Sequence, residues 1–376
     1  MAEREDSPEK KALLALIKKA KDKRSLAQDY INECYDFGLL DDRNMVNAEK
    51  TVGENRENDL FDTTFADAIG DFATARQDEF TPDYRKWVKA TVNESVAGSD
   101  TELIELQDLL KEHEKELYKL INTTSYYEAC EPAWEDCAIS VGAVAIPYAP
   151  ASKRLKVFPV FMSDLLIVTD HVGDISGIWF EKKMTAKYIK AEMPDKVDMI
   201  KEVIPTFGND DKTTYPVIQG DHRDMDFTGY RMISDLIVGG KVIEMRPQEA
   251  GVPPMIIPLR WGMAQNSGWT YGPCKRALPS ARLLDELGYN NLVHLSYASR
   301  MPLSYENDGQ QNYEKGIEPG GSYPRQRGSN APTPIIPGTK ADDYFDKEIL
   351  KESVQKPCML TSLSKKGKPR QQRHNG

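Results

Sequence analysis

The sequence predicts an α+β protein: a helical N-terminal region, a mixed α/β body, one long helix, and an irregular segment behind it. Three observations carry that prediction. Up to about residue 137 the apolar residues recur at a helical period. From residue 139 they gather into short runs rich in Val, Ile and Phe. After residue 300, Pro and Gly crowd a stretch that has neither pattern.

Residues 8–38 read as helix. Leu13, Leu14, Ile17 and Ala20 form one face, and Leu26, Tyr30, Ile31 and Cys34 continue it after a charged break at Lys21–Arg24. Residues 55–95 read as a second helical stretch through Phe61, Phe65, Ile69 and Phe72, interrupted at Pro82 before Tyr84 and Trp87. Residues 101–123 form a charged amphipathic helix carrying Leu103, Leu106, Leu110, Leu117 and Leu120, and another helix follows from Tyr126 to Cys137. Ile139–Tyr148 and Leu155–Phe161 then read as strands, and Leu165–Val168 pairs with Ile178–Phe180 across a polar turn at Gly173 and Asp174. Thr185–Met193 is helical. Residues 214–246 alternate strands and turns, with a hairpin signal at Gly239-Gly240, and Met255–Trp261 is a further strand. The long helix starts near Pro279 and reaches Arg300, spanning about 30 Å at about 1.5 Å per residue. A helical start resumes at 342–355, and Ser364–Gly376 is a basic polar tail that reads as disordered.

The chain has 376 residues, 40% of them hydrophobic and 29% charged, enough for two or three packed regions. Its formal charge is −10 and its pI about 5.2. Proteins that grip nucleic acid through phosphates are usually basic, so the acidic balance argues against a gripping protein. The five cysteines are oddly spaced and form no CxxC pair, which fits buried thiols rather than disulfides or zinc. The charged N-terminus has no apolar core of a signal peptide, and the longest apolar run, Ala138–Pro147, is too short for a bilayer. A soluble, intracellular product with no membrane partner is expected.

Catalytic motifs are missing from the sequence. Pro337-Gly338-Thr339-Lys340 lacks the spacing of a phosphate loop, and no GxGxxG, GxSxG or HExxH occurs. No histidine stands four residues from another. The densest cluster is Asp221-His222-Arg223-Asp224-Met225-Asp226, which reads as a divalent-cation site or, more commonly, as a solvated turn between strands. Lys315, Arg325, Arg327 and Lys340, with Lys365, Lys366, Lys368, Arg370 and Arg373 of the tail, are candidate contacts to DNA or a partner; for the tail, simple solvation is the commoner reading. Trp261, Trp269 and Tyr271 read as core before they read as a stacking platform for bases.

Leu60-Phe61-Asp62-Thr63-Thr64-Phe65-Ala66-Asp67-Ala68, continuing to Phe80-Thr81-Pro82 and Trp87, resembles the N-terminal region of podovirus portal proteins. Later elements keep the family's order. Tyr126 leads through Trp134 to Ile139–Val144, and a hairpin precedes Thr185-Ala186-Lys187. Arg260-Trp261 then precedes Gly268, Tyr271-Gly272-Pro273 and Ala277-Leu278-Pro279 at the head of a helix carrying Leu283, Leu284 and Leu287. Met301-Pro302-Leu303 and the Pro/Gly-rich stretch follow. The resemblance covers roughly residues 10–355. It departs where Pro273-Cys274 replaces an Arg/Gly-type insertion, and after Ile349, where the expected amphipathic helix gives way to Pro357-Cys358. The chain therefore resembles a C-terminally truncated member.

The resemblance implies a portal-like division: wing and body at 1–275, an outgoing stem helix at 276–300, a clip at 301–340, and a returning helix with the basic tail at 341–376. It implies a closed ring of about twelve copies around a channel for double-stranded DNA. The implied partners are a terminase, a tail adaptor and capsid or scaffold proteins. Lys315, Arg325, Arg327 and Lys340 would lie in the clip. No catalytic site, cofactor or metal is implied. The location would be the portal vertex of the virion, reached from the host cytoplasm during assembly. The alternatives are another phage structural protein such as a tail adaptor, or a metal-dependent hydrolase using Asp221, His222, Asp224 and Asp226.

Overall fold

The structure is a computed structural model, and it describes residues 7–38, 60–92, 100–149, 154–208, 210–262, 267–300, 303–306, 319, 322–325 and 347–359. Its elements are mixed α and β, as the sequence predicts. The first helix, α1 (Pro8–Phe37), opens on Ser7, whose hydroxyl accepts from Lys10 N–H at 3.4 Å, with Pro8 in the first turn. The charged run Lys21–Arg24 does not break it. Lys and Arg are good helix formers, and here they find partners across the fold: Lys21 Nζ lies 2.6 Å from Glu181, and Arg24 donates to the Ser163 carbonyl at 2.5 Å.

The second helix, α2, is shorter than its pattern suggests, running Thr64–Phe80. Asp62 accepts from Thr64 N–H at 2.9 Å before its first turn, and Pro82 follows directly on the C-cap Thr81. Beyond it the chain turns at residues 83–85 and forms no helix or strand up to residue 92, and Trp87 and Val88 N–H both donate to the Tyr118 hydroxyl at 2.6 Å. The ends of the expected 55–95 stretch, 55–59 and 93–95, lie outside the described residues. Next come α3 (Asp100–Asn122) and α4 (Tyr126–Ile139).

The chain reverses at Ser140 into β1 (Val141–Ala145), which lies directly on α4; a Cβ at Gly142 would stand 1.7 Å from the Ala133 carbonyl oxygen. Short strands β2 (Tyr148–Ala149), β3 (Arg154–Leu155) and β4 (Phe158–Pro159) lead to a five-stranded antiparallel meander. Its strands are β5 (Leu165–Thr169), β6 (Ile175–Thr185), β7 (Thr214–Arg223), β8 (Met232–Val238) and β9 (Lys241–Pro247). Asp170 closes the β5–β6 turn by accepting from the N–H groups of Val172, Gly173 and Asp174. Gly239 and Gly240, with φ of 57° and 76°, make the β8–β9 turn that was expected of them. Two short helices, α5 (Ala186–Glu192) and α6 (Val197–Val203), separate β6 from β7. β10 (Ile256–Arg260) returns to the other sheet, whose order is β10-β1-β4.

Alternation along the strands decides what covers each face of the meander. One face presents Leu166, Val168, Trp179, Ile218, Ile237 and Val242 to the first half of α1, at Leu13, Ile17 and Ala20. On the other face Val217, Leu236 and Val238 meet α5 and α6, while Ile167, Ile178 and Phe180 join the central core. That core gathers the second half of α1, α2, the inner side of β1, and the two last helices, α7 (Cys274–Ser299) and α8 (Lys347–Cys358).

α7 begins five residues before the expected start. Pro273 forms its N-cap and Pro279 sits inside the helix, in its second turn, without an N–H to donate. Helix α8 continues through Pro357 and Cys358, where the sequence led us to expect the helical pattern to stop; residues 342–346 lie outside the described set. Two strands of the Pro/Gly-rich segment, β11 (Leu303–Glu306) and β12 (Ser322–Arg325), pair in parallel. All five cysteines are buried and free, as their spacing suggested.

Candidate functional site

The acidic cluster expected in a turn begins in strand β7, which ends at Arg223, and Asp224 and Asp226 lie beyond it. Asp221 and His222 are neighbours in an extended strand, so they point to opposite faces of the sheet. Asp221 is fully buried and accepts from the Ser234 hydroxyl, Gln248 Nε2 and Met255 N–H, each at 2.7 Å. On the opposite face Asp235 accepts from Trp179 Nε1 at 2.8 Å, and the same oxygen lies 2.6 Å from His222 Nδ1. Burial raises the Asp221 and Asp235 carboxyls above their ordinary value. Asp224 is clamped by the Arg231 guanidinium and also accepts from Asp226 N–H; the Arg231 hydrogen bond holds its carboxyl below the usual range. Asp226 is exposed. The four residues named for a cation therefore diverge, and among the described residues no three His, Cys, Asp or Glu side chains gather to hold a metal ion.

The geometry converges instead on α7. Leu278, Ala281, Leu284 and Leu287 are buried in the core, but after Gly288 no residue of the helix is buried. Leu292 and Leu295 are 52% and 62% exposed. The exit point is held by the Leu60–Phe65 segment. Phe61 N–H donates to Asp285 at 2.6 Å, and the Phe61 and Tyr289 rings lie 5.2 Å apart. Gly288 lets this happen, because a Cβ there would stand 2.8 Å from Phe61 Cβ. One turn earlier, Arg282 grips Glu33 of α1 with two guanidinium nitrogens. The LFDTTF element, noted in the sequence only as a pattern, is thus the collar of the emerging helix.

Of the basic residues singled out beyond α7, Arg325 ends β12 in register with Glu306 of β11. Lys315, Arg327 and Lys340, with the tail lysines and arginines, lie outside the described residues. The aromatic trio separates. Trp269 is core, as expected. Trp261 is 47% exposed with the Arg76 guanidinium 4.6 Å from its ring, and Tyr271 is 54% exposed under Lys275. Helix α3 was legible as amphipathic, but not that it would stand nearly bare. Among the described residues only its Tyr118 and Ile121 are buried, and Ile104, Leu109, Leu117 and Leu120 are exposed.

A helix that leaves its core with leucines exposed, and a second helix with most of its leucines exposed elsewhere, are what an assembly subunit carries. The class is therefore a structural subunit that completes its surfaces on other chains. The family described as bacteriophage head to tail connecting protein matches residues 10–349, and the chain belongs to that family. A comparison with curated proteins gives no match. As a phage connector the chain is a virion component that assembles with capsid and tail proteins. No described helix is long and apolar enough to cross a membrane.

Proposed function

We propose that this chain is the portal subunit of a short-tailed phage. About twelve copies close into a ring that conducts double-stranded DNA during packaging and ejection. The observation that carries the reading is the exit of α7 from the core at Gly288, after which no residue of the helix is buried and Leu292 and Leu295 are exposed. In this reading 1–275 is the wing and body, 276–300 the stem helix, and 301–340 the clip that meets the tail adaptor or terminase through Lys315, Arg325, Arg327 and Lys340. Residues 341–376 begin the returning helix and the tail, and α8 seals that return against α7 and α2 in the core.

The physics of a conduit supports this division. Stem helices repeated about an axis line a tube only if each leaves its own core, and α7 does so with its exit fixed at three points by Phe61, Tyr289 and the Arg282–Glu33 pair. From Leu287 to Ser299 that helix carries no Asp, Glu, Lys or Arg. A wall without cations makes no lasting phosphate contacts, so a duplex slides along it. Phosphoryl chemistry belongs to a separate terminase in this reading, and no step in it needs a catalytic side chain of this chain.

Native mass spectrometry and negative-stain imaging of the purified protein test the reading. The expected result is a ring with an open centre and a mass near twelve copies of the 42.4 kDa chain. A chain that remains a lone monomer at every concentration, with α7 folded, overturns it.

A further inference from the structure

Helix α3 is anchored at its C-terminal end and bare along most of its length. Tyr118 holds the segment behind α2 through Trp87 and Val88, Lys86 pairs with Glu114 at 3.2 Å, and no other helix or strand among the described residues packs along it. Leu109, Leu117 and Leu120 share one stripe of this helix and are 50%, 41% and 43% exposed. Glu105, Glu112 and Glu116 border that stripe, all exposed, and the helix holds seven acids against three bases. A 23-residue helix of this kind is stabilised mainly by packing of its apolar face, which a lone copy provides in full only at Tyr118 and Ile121.

The same chain carries the complementary surface. The first half of α1, residues 8–24, holds seven bases against two acids in a protein whose net charge is −10. Lys10, Lys21 and Arg24 turn inward to the meander, while Lys11, Lys18 and Lys19 point outward with Ala12 and Ala15 between them, all exposed. A heterologous contact, the kind that builds a ring, needs two different and complementary patches on every copy. We propose that the acidic leucine stripe of α3 docks on the basic outer face of α1 in a second copy of this chain. The contact rests on the ring reading above and specifies which surfaces neighbouring copies use.

Charge reversal tests it. One variant carries Glu105→Lys, Glu112→Lys and Glu116→Lys; a second carries Lys11→Glu, Lys18→Glu and Lys19→Glu; a third combines all six. Glu and Lys are both good helix formers, so circular dichroism should stay unchanged. Each triple is expected to raise the concentration needed for half-assembly about tenfold at low salt, and the combination to recover most of it. Leu109→Gln with Leu117→Gln, which touches no charge, is expected to weaken assembly as well. If wild type forms rings and neither triple weakens them, the α3–α1 contact is wrong while the ring stands. If wild type never leaves the monomer, the ring reading fails and the contact with it. The competing occupant of α1 is duplex DNA. A lysine triple that loses DNA affinity yet keeps its ring mass overturns the proposal in favour of that occupant.

Discussion

Trp179 shows how much of the fold rests on residues no local pattern identifies. Its ring is buried over Gly177 and Gly220, and its indole N–H is spent on Asp235. A Cβ at Gly220 would stand 2.1 Å from the Ile178 carbonyl oxygen and 2.5 Å from Trp179 Cα, both backbone atoms that cannot step aside. Gly220→Ala should therefore cost about 2–3 kcal/mol in a urea melt. Behind the same strand Asp221 gives a pH signature. Burial lifts its folded carboxyl above 3.8, so its contribution is fully present below that value and is lost as pH rises through the raised one. Asp221→Asn forgoes one acceptor at every pH, a constant offset. From about pH 4 up to the raised value the stability difference should shift toward the variant and then level off, and urea melts at a series of pH values above 4 read that shift; a flat difference refutes the assignment. The sequence made this cluster look like a solvated turn, because three carboxylates in six residues usually face water. Its burial depends on Ser234, Gln248 and Met255, which reach Asp221 only once β8 and the segment behind β9 have folded back.

At the scale of elements, periodicity was a good guide where one face of a helix or strand meets one neighbour, and a poor one where partners come from far along the chain. The α3 and α4 helices, the β5–β6 hairpin and the glycine turn before β9 all stand where their residues put them. Helix α1 runs on through Lys21–Arg24, as the reading of 8–38 as helix had it, and Glu181, on β6, receives both Lys21 and Arg24. The overlong second helix was cut by Pro82, with the chain behind it captured by Tyr118. The emergence of α7 was half legible: its leucines predicted a helix, but not the residue at which burial ends. That boundary makes a paired test. Leu284→Ala opens a hole in the core and should cost about 3 kcal/mol of monomer stability. Leu292→Ala, in the second half, should cost less than about 0.5 kcal/mol in the monomer while weakening the assembled ring. Comparable losses of monomer stability would mean that the second half of α7 packs within its own subunit.

For the whole molecule, family membership was readable from the order of weak motifs over most of the chain, whereas the surfaces that meet other copies were not, because sequence does not say which apolar stripe stays uncovered. Charge is the whole-molecule property that bears most directly on a conduit. At −10 per chain, the proposed ring of about twelve would carry a net charge beyond −100, and a duplex inside it would meet no field that favours holding still. A protein that neutralises Z phosphates loses affinity with salt at a log–log slope near −0.9Z, so the slope counts the cations that grip. Assembled rings mixed with a short blunt duplex should retain it weakly, with a slope shallower than about −2 between 50 and 200 mM salt. Tight retention with a steep slope would require a ring of Lys and Arg facing the lumen. The second half of α7 supplies none before Arg300, and in the proposed clip the candidates for such a grip are Lys315, Arg325, Arg327 and Lys340. Repeating the measurement with those four changed to Gln separates a gripping clip from a sliding channel: a slope that collapses assigns them to DNA, and a slope that was shallow from the start leaves them to the tail partner.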